Sequence, residues 1–322
     1  MSRALRVYSL LVLAAGVGSS FLACGSRTGL LAPDDDVLDA AGDVRDATKD
    51  ARDSGRDADA KEEDALPTID ATKDVIKPPP LGCVDAGSTQ IYVITSQNEL
   101  FAFYPPTLSF QKIGNIACPS GGATPFSMGV NRAGVAYSVF TDGKLFRVST
   151  ANAACQSTTF AANQLGFQVF GMGYSGDQLT ENLYVADSDF NNPSKGLATI
   201  DTATFKLTTI GPFVPQLPRC ELTGTGDGHL YAFCLNQGGT TGSILAEIDR
   251  TSGKVIAQNK LKVGDQNNAF AFSFWGGDFY IFTSPSGPST VTKYDPVLKT
   301  ETVVASHPST IVGAGVSTCA PQ

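Results

Sequence analysis

Four times between residues 126 and 300 the chain repeats one succession of short β-rich stretches, and this repetition limits its folding more than any other feature. Each unit opens with an apolar or small stretch: Phe126-Ser-Met-Gly-Val, Phe170-Gly-Met-Gly-Tyr, Cys220-Glu-Leu-Thr-Gly and Phe270-Ala-Phe-Ser-Phe-Trp. An aromatic stretch follows: Val135-Ala-Tyr-Ser-Val-Phe, Leu183-Tyr-Val-Ala, Leu230-Tyr-Ala-Phe and Phe279-Tyr-Ile-Phe. A third stretch then runs through a polar turn into a fourth, as in Thr199-Ile-Asp-Thr-Ala-Thr-Phe-Lys, Glu247-Ile-Asp-Arg-Thr-Ser-Gly-Lys and Lys293-Tyr-Asp-Pro-Val-Leu-Lys. Aromatic and β-branched runs bounded by Gly, Asn, Asp and Pro read as strands, and no stretch after Cys83 carries a convincing helical period. The turn residues Asp201, Asp249 and Asp295 fall 48 and 46 residues apart. Asp at such a position accepts hydrogen bonds from the backbone N–H groups of its own turn, so these three are expected to be structural.

Units of this length, with four strands each, resemble the blades of β-propellers. The ends of the region support the resemblance. Ile91-Tyr-Val-Ile-Thr and Leu100-Phe-Ala-Phe-Tyr-Pro-Pro supply second, third and fourth strands without a first, whereas Ile311-Val-Gly-Ala-Gly-Val is a first strand with nothing after it. Joined, they make one blade, and closing the ring removes two open sheet edges. The expectation is therefore an all-β fold over residues 81–322, a β-propeller closed by its C-terminal strand. The count is five blades; the register of the weakest, residues 126–160, is loose, and six blades remain the alternative.

Aromatic residues mark where the folded mass begins. No Phe, Tyr or Trp occurs between Phe21 and Tyr92. A segment without large apolar side chains cannot offset its chain entropy. Charge divides in the same way: residues 25–80 carry 15 Asp and Glu against 8 Lys and Arg, and residues 81–322 carry 16 against 13. The near-neutral domain has no basic run, which argues against nucleic acid as a partner. Residues 24–80 read as an acidic tether, since Asp is a poor helix former and no apolar stripe is present to dock a helix. A flexible chain of 56 residues spans roughly 40 Å root-mean-square.

Residues 1–23 have the layout of a secretory signal: Arg3 and Arg6, an apolar run from Val7, and a small residue before the cut. The tetrad Phe21-Leu22-Ala23-Cys24 resembles the lipobox of bacterial lipoproteins, with Phe21 where Leu is usual. The resemblance implies cleavage after Ala23 and a lipid on Cys24. Cys24-Gly-Ser-Arg-Thr-Gly-Leu with the Asp/Ala-rich run behind it is similar to the start of many myxobacterial lipoproteins. Gly25 rather than Asp follows the cysteine, so the inner-membrane retention signal of that family is missing. A protein of the outer membrane or cell surface is expected, held by acyl chains worth about 0.8 kcal/mol per buried methylene.

Six cysteines remain beyond Cys24, an even number suited to an oxidising compartment. Six allow 15 pairings. The blade map suggests one of them: Cys83 with Cys319 across the ring closure, Cys220 with Cys234 on neighbouring strands, and Cys118 with Cys155 as the remainder. The first closes nearly the whole domain and is worth about 4–5 kcal/mol in the chain-entropy account.

Candidate chemistry is sparse. Gly171-Met-Gly-Tyr-Ser-Gly176 spells GxGxxG, yet a strand rather than a helix follows it, so no dinucleotide site is expected. His229 and His307 read as turn residues, and no GxSxG elbow accompanies them. Glycosidases on five-bladed propellers need a carboxylate pair, and the innermost strands offer Glu221 alone; Asp187 and Asp189 would have to reach in from loops. That makes an envelope hydrolase or lyase the second reading. Glu221 and Trp275 are the candidate ligand funnel, with Trp275 as a sugar-stacking platform. Asp187, Asp189 and Asn191 form a candidate Ca²⁺ loop with alternating oxygens. The leading reading is a tethered, non-enzymatic binding module for a protein or glycan.

Overall fold

The structure is a computed structural model that describes residues 66–69, 83, 89–188, 193–235, 242–264 and 269–322. The signal segment, Cys24, most of the tether, Asp189 and Asn191 lie outside the described residues. The chain divides into Met1–Ala60 and Lys61–Gln322, and every described residue belongs to the second unit.

Five antiparallel sheets of four strands make up this unit. The first blade holds β1 (Ile91–Thr95), β2 (Glu99–Tyr104), β3 (Ser109–Asn115) and the C-terminal β20 (Ile311–Val316). The second holds β4 (Pro125–Val130), β5 (Val135–Phe140), β6 (Leu145–Ser149) and β7 (Cys155–Ser157). The third is β8 (Phe170–Gly176), β9 (Glu181–Asp187), β10 (Leu197–Asp201) and β11 (Lys206–Gly211). The fourth is β12 (Cys220–Gly224), β13 (Leu230–Leu235), β14 (Ser243–Ile248) and β15 (Val255–Leu261). The fifth is β16 (Ala269–Trp275), β17 (Asp278–Ser284), β18 (Ser289–Asp295) and β19 (Thr300–His307). Strands β20, β4, β8, β12 and β16 pack in that order and close a ring. The fold is a five-bladed β-propeller.

Ring closure is made by the two chain ends, as the sequence indicates: Ile91 pairs with Val316 and Val93 with Ala314. The core lies between blades, where the aromatic second strands of one sheet meet the first strands of the next. Phe272, Phe279 and Phe282 are buried there, as are Phe103 and Phe233. The inner strands run close together, so side chains between them must be small. A Cβ on Gly171 would fall 2.1 Å from the Cys220 carbonyl oxygen, and one on Gly173 2.6 Å from that of Leu222. The GxGxxG spelling is thus a packing feature of β8 against β12.

The repeated aspartates cap their turns. Oδ1 of Asp201 accepts from the N–H groups of Ala203 and Thr204 at 2.8 and 3.0 Å. Asp295 does the same with Val297 and Leu298, both at 3.0 Å. Hydrogen bonds to the ionised form hold Asp201 below the ordinary carboxylate range, the Thr204 N–H leading.

All three disulfides indicated by the blade map are present: Cys83–Cys319, Cys118–Cys155 and Cys220–Cys234. Cys118–Cys155 ties the last strand of the second blade, only three residues long, to the loop that enters that blade. Residues 66–69 lie on the propeller rather than apart from it. Ile69 is buried, and the Gln258 N–H on β15 donates to the Pro67 carbonyl at 2.8 Å.

Candidate functional site

Each inner strand starts at one face of the ring and ends at the other. At the starting face a cavity of about 230 Å³ opens on the axis. Its wall combines Val312 of the first blade, Phe126 of the second, Arg219 and Glu221 of the fourth, and Phe270 of the fifth. Glu221 is the one carboxylate among those lining residues, and it is 4% exposed. Its Oε2 accepts a hydrogen bond from the Ser127 hydroxyl across the ring at 2.5 Å. That hydroxyl in turn accepts from the Met172 N–H at 3.1 Å, so three blades meet at one carboxyl.

Burial dominates the titration of Glu221 and pushes its pKa well above the ordinary range; the Ser127 and Met172 donors and the Arg219 charge oppose this without overcoming it. The neutral acid is favoured, and a neutral carboxyl both donates and accepts. Arg219 sits at the start of β12 with its guanidinium 5.8 Å from the Phe270 ring centroid. Burial lowers the Arg219 pKa, partly countered by the Glu221 charge. The mouth therefore offers a planar cation beside the Phe270 ring, with Phe126 and a carboxyl elsewhere in the wall.

Ser127 was not among the residues singled out from sequence, although a signal for it exists. Ser127, Gly171, Glu221 and Ala271 share the second slot of the repeated first strand. Aligning the blades at that slot exposes the one acid and its partner.

Trp275 is not part of the mouth. It ends β16 at the opposite face, where its indole N–H donates to the Thr89 carbonyl at 2.7 Å and its ring meets Tyr104 edge-on. Asp187 also does not line the mouth. Its Oδ2 accepts from the Lys195 backbone N–H at 2.9 Å and from Lys195 Nζ at 3.2 Å, with the carboxylate buried. Of the proposed Ca²⁺ loop only Asp187 is described, and one of its oxygens is engaged by this lysine. Among the described residues no group of three His, Cys, Asp or Glu side chains converges as a metal site.

The histidines differ from each other. His229 occupies a turn, with Nδ1 at 2.7 Å from Glu247 Oε1. His307 is not an exposed turn residue: it is buried between Phe101 and Phe110, at centroid distances of 4.5 and 4.8 Å. Burial lowers its pKa, against the opposing Ser309 backbone contact.

The far face is covered by the C-terminal residues. Thr318 donates to Glu181 Oε2 and accepts from Arg132 Nε, both at 2.8 Å. Arg132 also donates its N–H to Glu181 Oε1 at 2.8 Å and Nη2 to the Asp177 carbonyl. The Gly276 N–H donates to the Pro321 carbonyl at 2.8 Å. Residues 317–321 thereby reach blades two, three and five.

No family model and no curated protein matches the chain. Solved structures with distant likeness include a glutaminyl cyclase from Myxococcus xanthus, at 14% identity and a TM-score of 0.37, covering 60% of this chain and 88% of that one. TolB from Acinetobacter baumannii has 10% identity and a TM-score of 0.39 over 68% of this chain and 51% of its own. The Dos1 propeller has 10% and 0.36 over 71% and 56%. The chain spans about half the length of these last two. At such distances neither fold nor function rests on the likeness; the fold stands on the strand pairing above.

Proposed function

We propose that this protein is an exported lipoprotein of the outer membrane or cell surface, anchored through Cys24 and held off the membrane by its acidic tether. Its propeller binds a protein or glycan partner at the mouth and carries out no reaction on it. The observation that supports this reading is the make-up of the mouth, Arg219 set against Phe270 with Phe126 on the second blade. Arginine and aromatic side chains in a partly desolvated pocket are the groups that dominate recognition energetics. Glu221 contributes a buried carboxyl already engaged by Ser127, which burial biases toward the neutral form that can donate as well as accept.

The test is retention by the immobilised full chain of components from a detergent extract of the envelope and from cell-wall fragments, with and without Ca²⁺. A stoichiometric partner that Arg219→Ala no longer retains is the expected result. A partner held equally by Arg219→Ala, or no partner in any condition, would overturn the proposal. Dependence on Ca²⁺ would bring the Asp187 loop into the binding surface.

A further inference from the structure

A second cavity, of about 650 Å³, lies on the rim where β15 of the fourth blade faces the β18–β19 turn of the fifth. It shares no lining residue with the mouth. Three lysines line it: Lys260 from β15, Lys262 just past the end of that strand, and Lys299 from the turn. All three are exposed, and none forms an ion pair with a described residue. Lys260 lies on β15 and Lys262 one residue past its end, two positions further along the chain. The carboxylate in the wall, Glu301, is already engaged: its two oxygens accept from the Lys262 and Val263 backbone N–H groups, each at 2.7 Å. The groove is left with excess positive charge and room of the size that small-ligand sites have.

The rest of the wall combines the apolar Leu66 and Pro215 with neutral hydrogen-bonding groups. Buried Asn259 donates through Nδ2 to the Tyr294 hydroxyl at 2.8 Å, and Gln258 and Thr68 add an amide and a hydroxyl. The strand edge itself is occupied, because the Gln258 N–H donates to Pro67 and the Ile69 N–H donates to Asn259 Oδ1 at 3.3 Å. An extended peptide adds to a sheet through such edge groups. With that route taken, the remaining chemistry is spaced cations for anionic groups, and amides and hydroxyls for hydroxyl-rich surface.

We infer that this rim groove binds an acidic oligosaccharide, a short chain of sugars bearing carboxylates that Lys260, Lys262 and Lys299 pair with. It is a site separate from the mouth, so its failure would leave the mouth proposal standing.

Calorimetry with tetragalacturonate as probe, on the full chain, tests the assignment. Binding should weaken at least tenfold in K260Q/K262Q, and weaken again as salt is raised from about 0.05 to 0.5 M. K299Q should weaken it by less, Arg219→Ala should leave it unchanged, and fully methyl-esterified tetragalacturonate should not bind. All three lysines are exposed, so their glutamine variants keep the fold, and a far-ultraviolet spectrum confirms this. No binding to the unmodified chain, or equal binding by K260Q/K262Q, would overturn the inference. Equal affinity for a tetraglutamate peptide would overturn the glycan assignment in favour of charge alone.

Discussion

The two ends of the propeller axis are built from the same five strands and differ in what covers them. At the mouth Arg219, Phe126 and Phe270 stand at or beside the strand starts, and a cavity remains between them. At the far face residues 317–321 cross the ring, Thr318 is 1% exposed, and Arg132 and Glu181 bind it from two blades. One end is closed by covalent and charge-assisted contacts, and the other keeps a buried acid beside an arginine. Strand geometry alone therefore does not create a site in this fold. The chain segments added after the repeat pattern ends decide which face is available.

The comparison can be broken at the closed end first. Cys83→Ser should cost about 4–5 kcal/mol of stability by freeing a loop of nearly the whole domain in the unfolded state, read from the urea midpoint. A loss near zero would mean that the C-terminal cover is not held by this bond. Glu181→Ala leaves the Arg132 and Thr318 groups without their carboxylate and should cost about 2–3 kcal/mol. Asp295→Ala removes two turn hydrogen bonds on the same face and should cost about 1 kcal/mol.

The mouth should respond with the opposite sign. The folded pKa of Glu221 is raised above its unfolded value by burial, so the folded chain prefers the neutral acid. That preference is fully expressed below the ordinary glutamate range and is lost as pH rises through the raised value. Glu221→Gln should therefore match the parent chain below about pH 4 and melt higher than it at about pH 8, a small gain seen by differential scanning calorimetry. A variant less stable at both pH values would show that the ionised form is the one the mouth holds.

The strands of blades three to five were legible because each repeats the same succession and places an aspartate at or just after the end of its third strand to serve the turn. The ring closure and the disulfide between Cys83 and Cys319 followed from the incomplete first blade. The second blade was the weak one in sequence because β7 is only three residues long, and the Cys118–Cys155 bond adds to its short pairing with β6. The candidate site was half legible. Glu221 stood out as the only acid in an inner strand, but Ser127 lies 94 residues away and carries no local signal. Trp275 looked like a platform because strand alternation does not say which end of the axis a terminal residue occupies. Leu66 and Ile69 escaped notice because the aromatic count that separates domain from tether is blind to aliphatic anchors.

The most direct measurement places a single reporter thiol at each end of the axis and follows its reaction with a maleimide as envelope extract is added. Thr141→Cys lines the mouth, and Leu179→Cys lies in a far-face turn where the native side chain is 76% exposed. Extract should slow labelling at position 141 and leave position 179 unchanged. Protection at 179 with none at 141 would contradict it and move the binding surface to the face that the C-terminus covers.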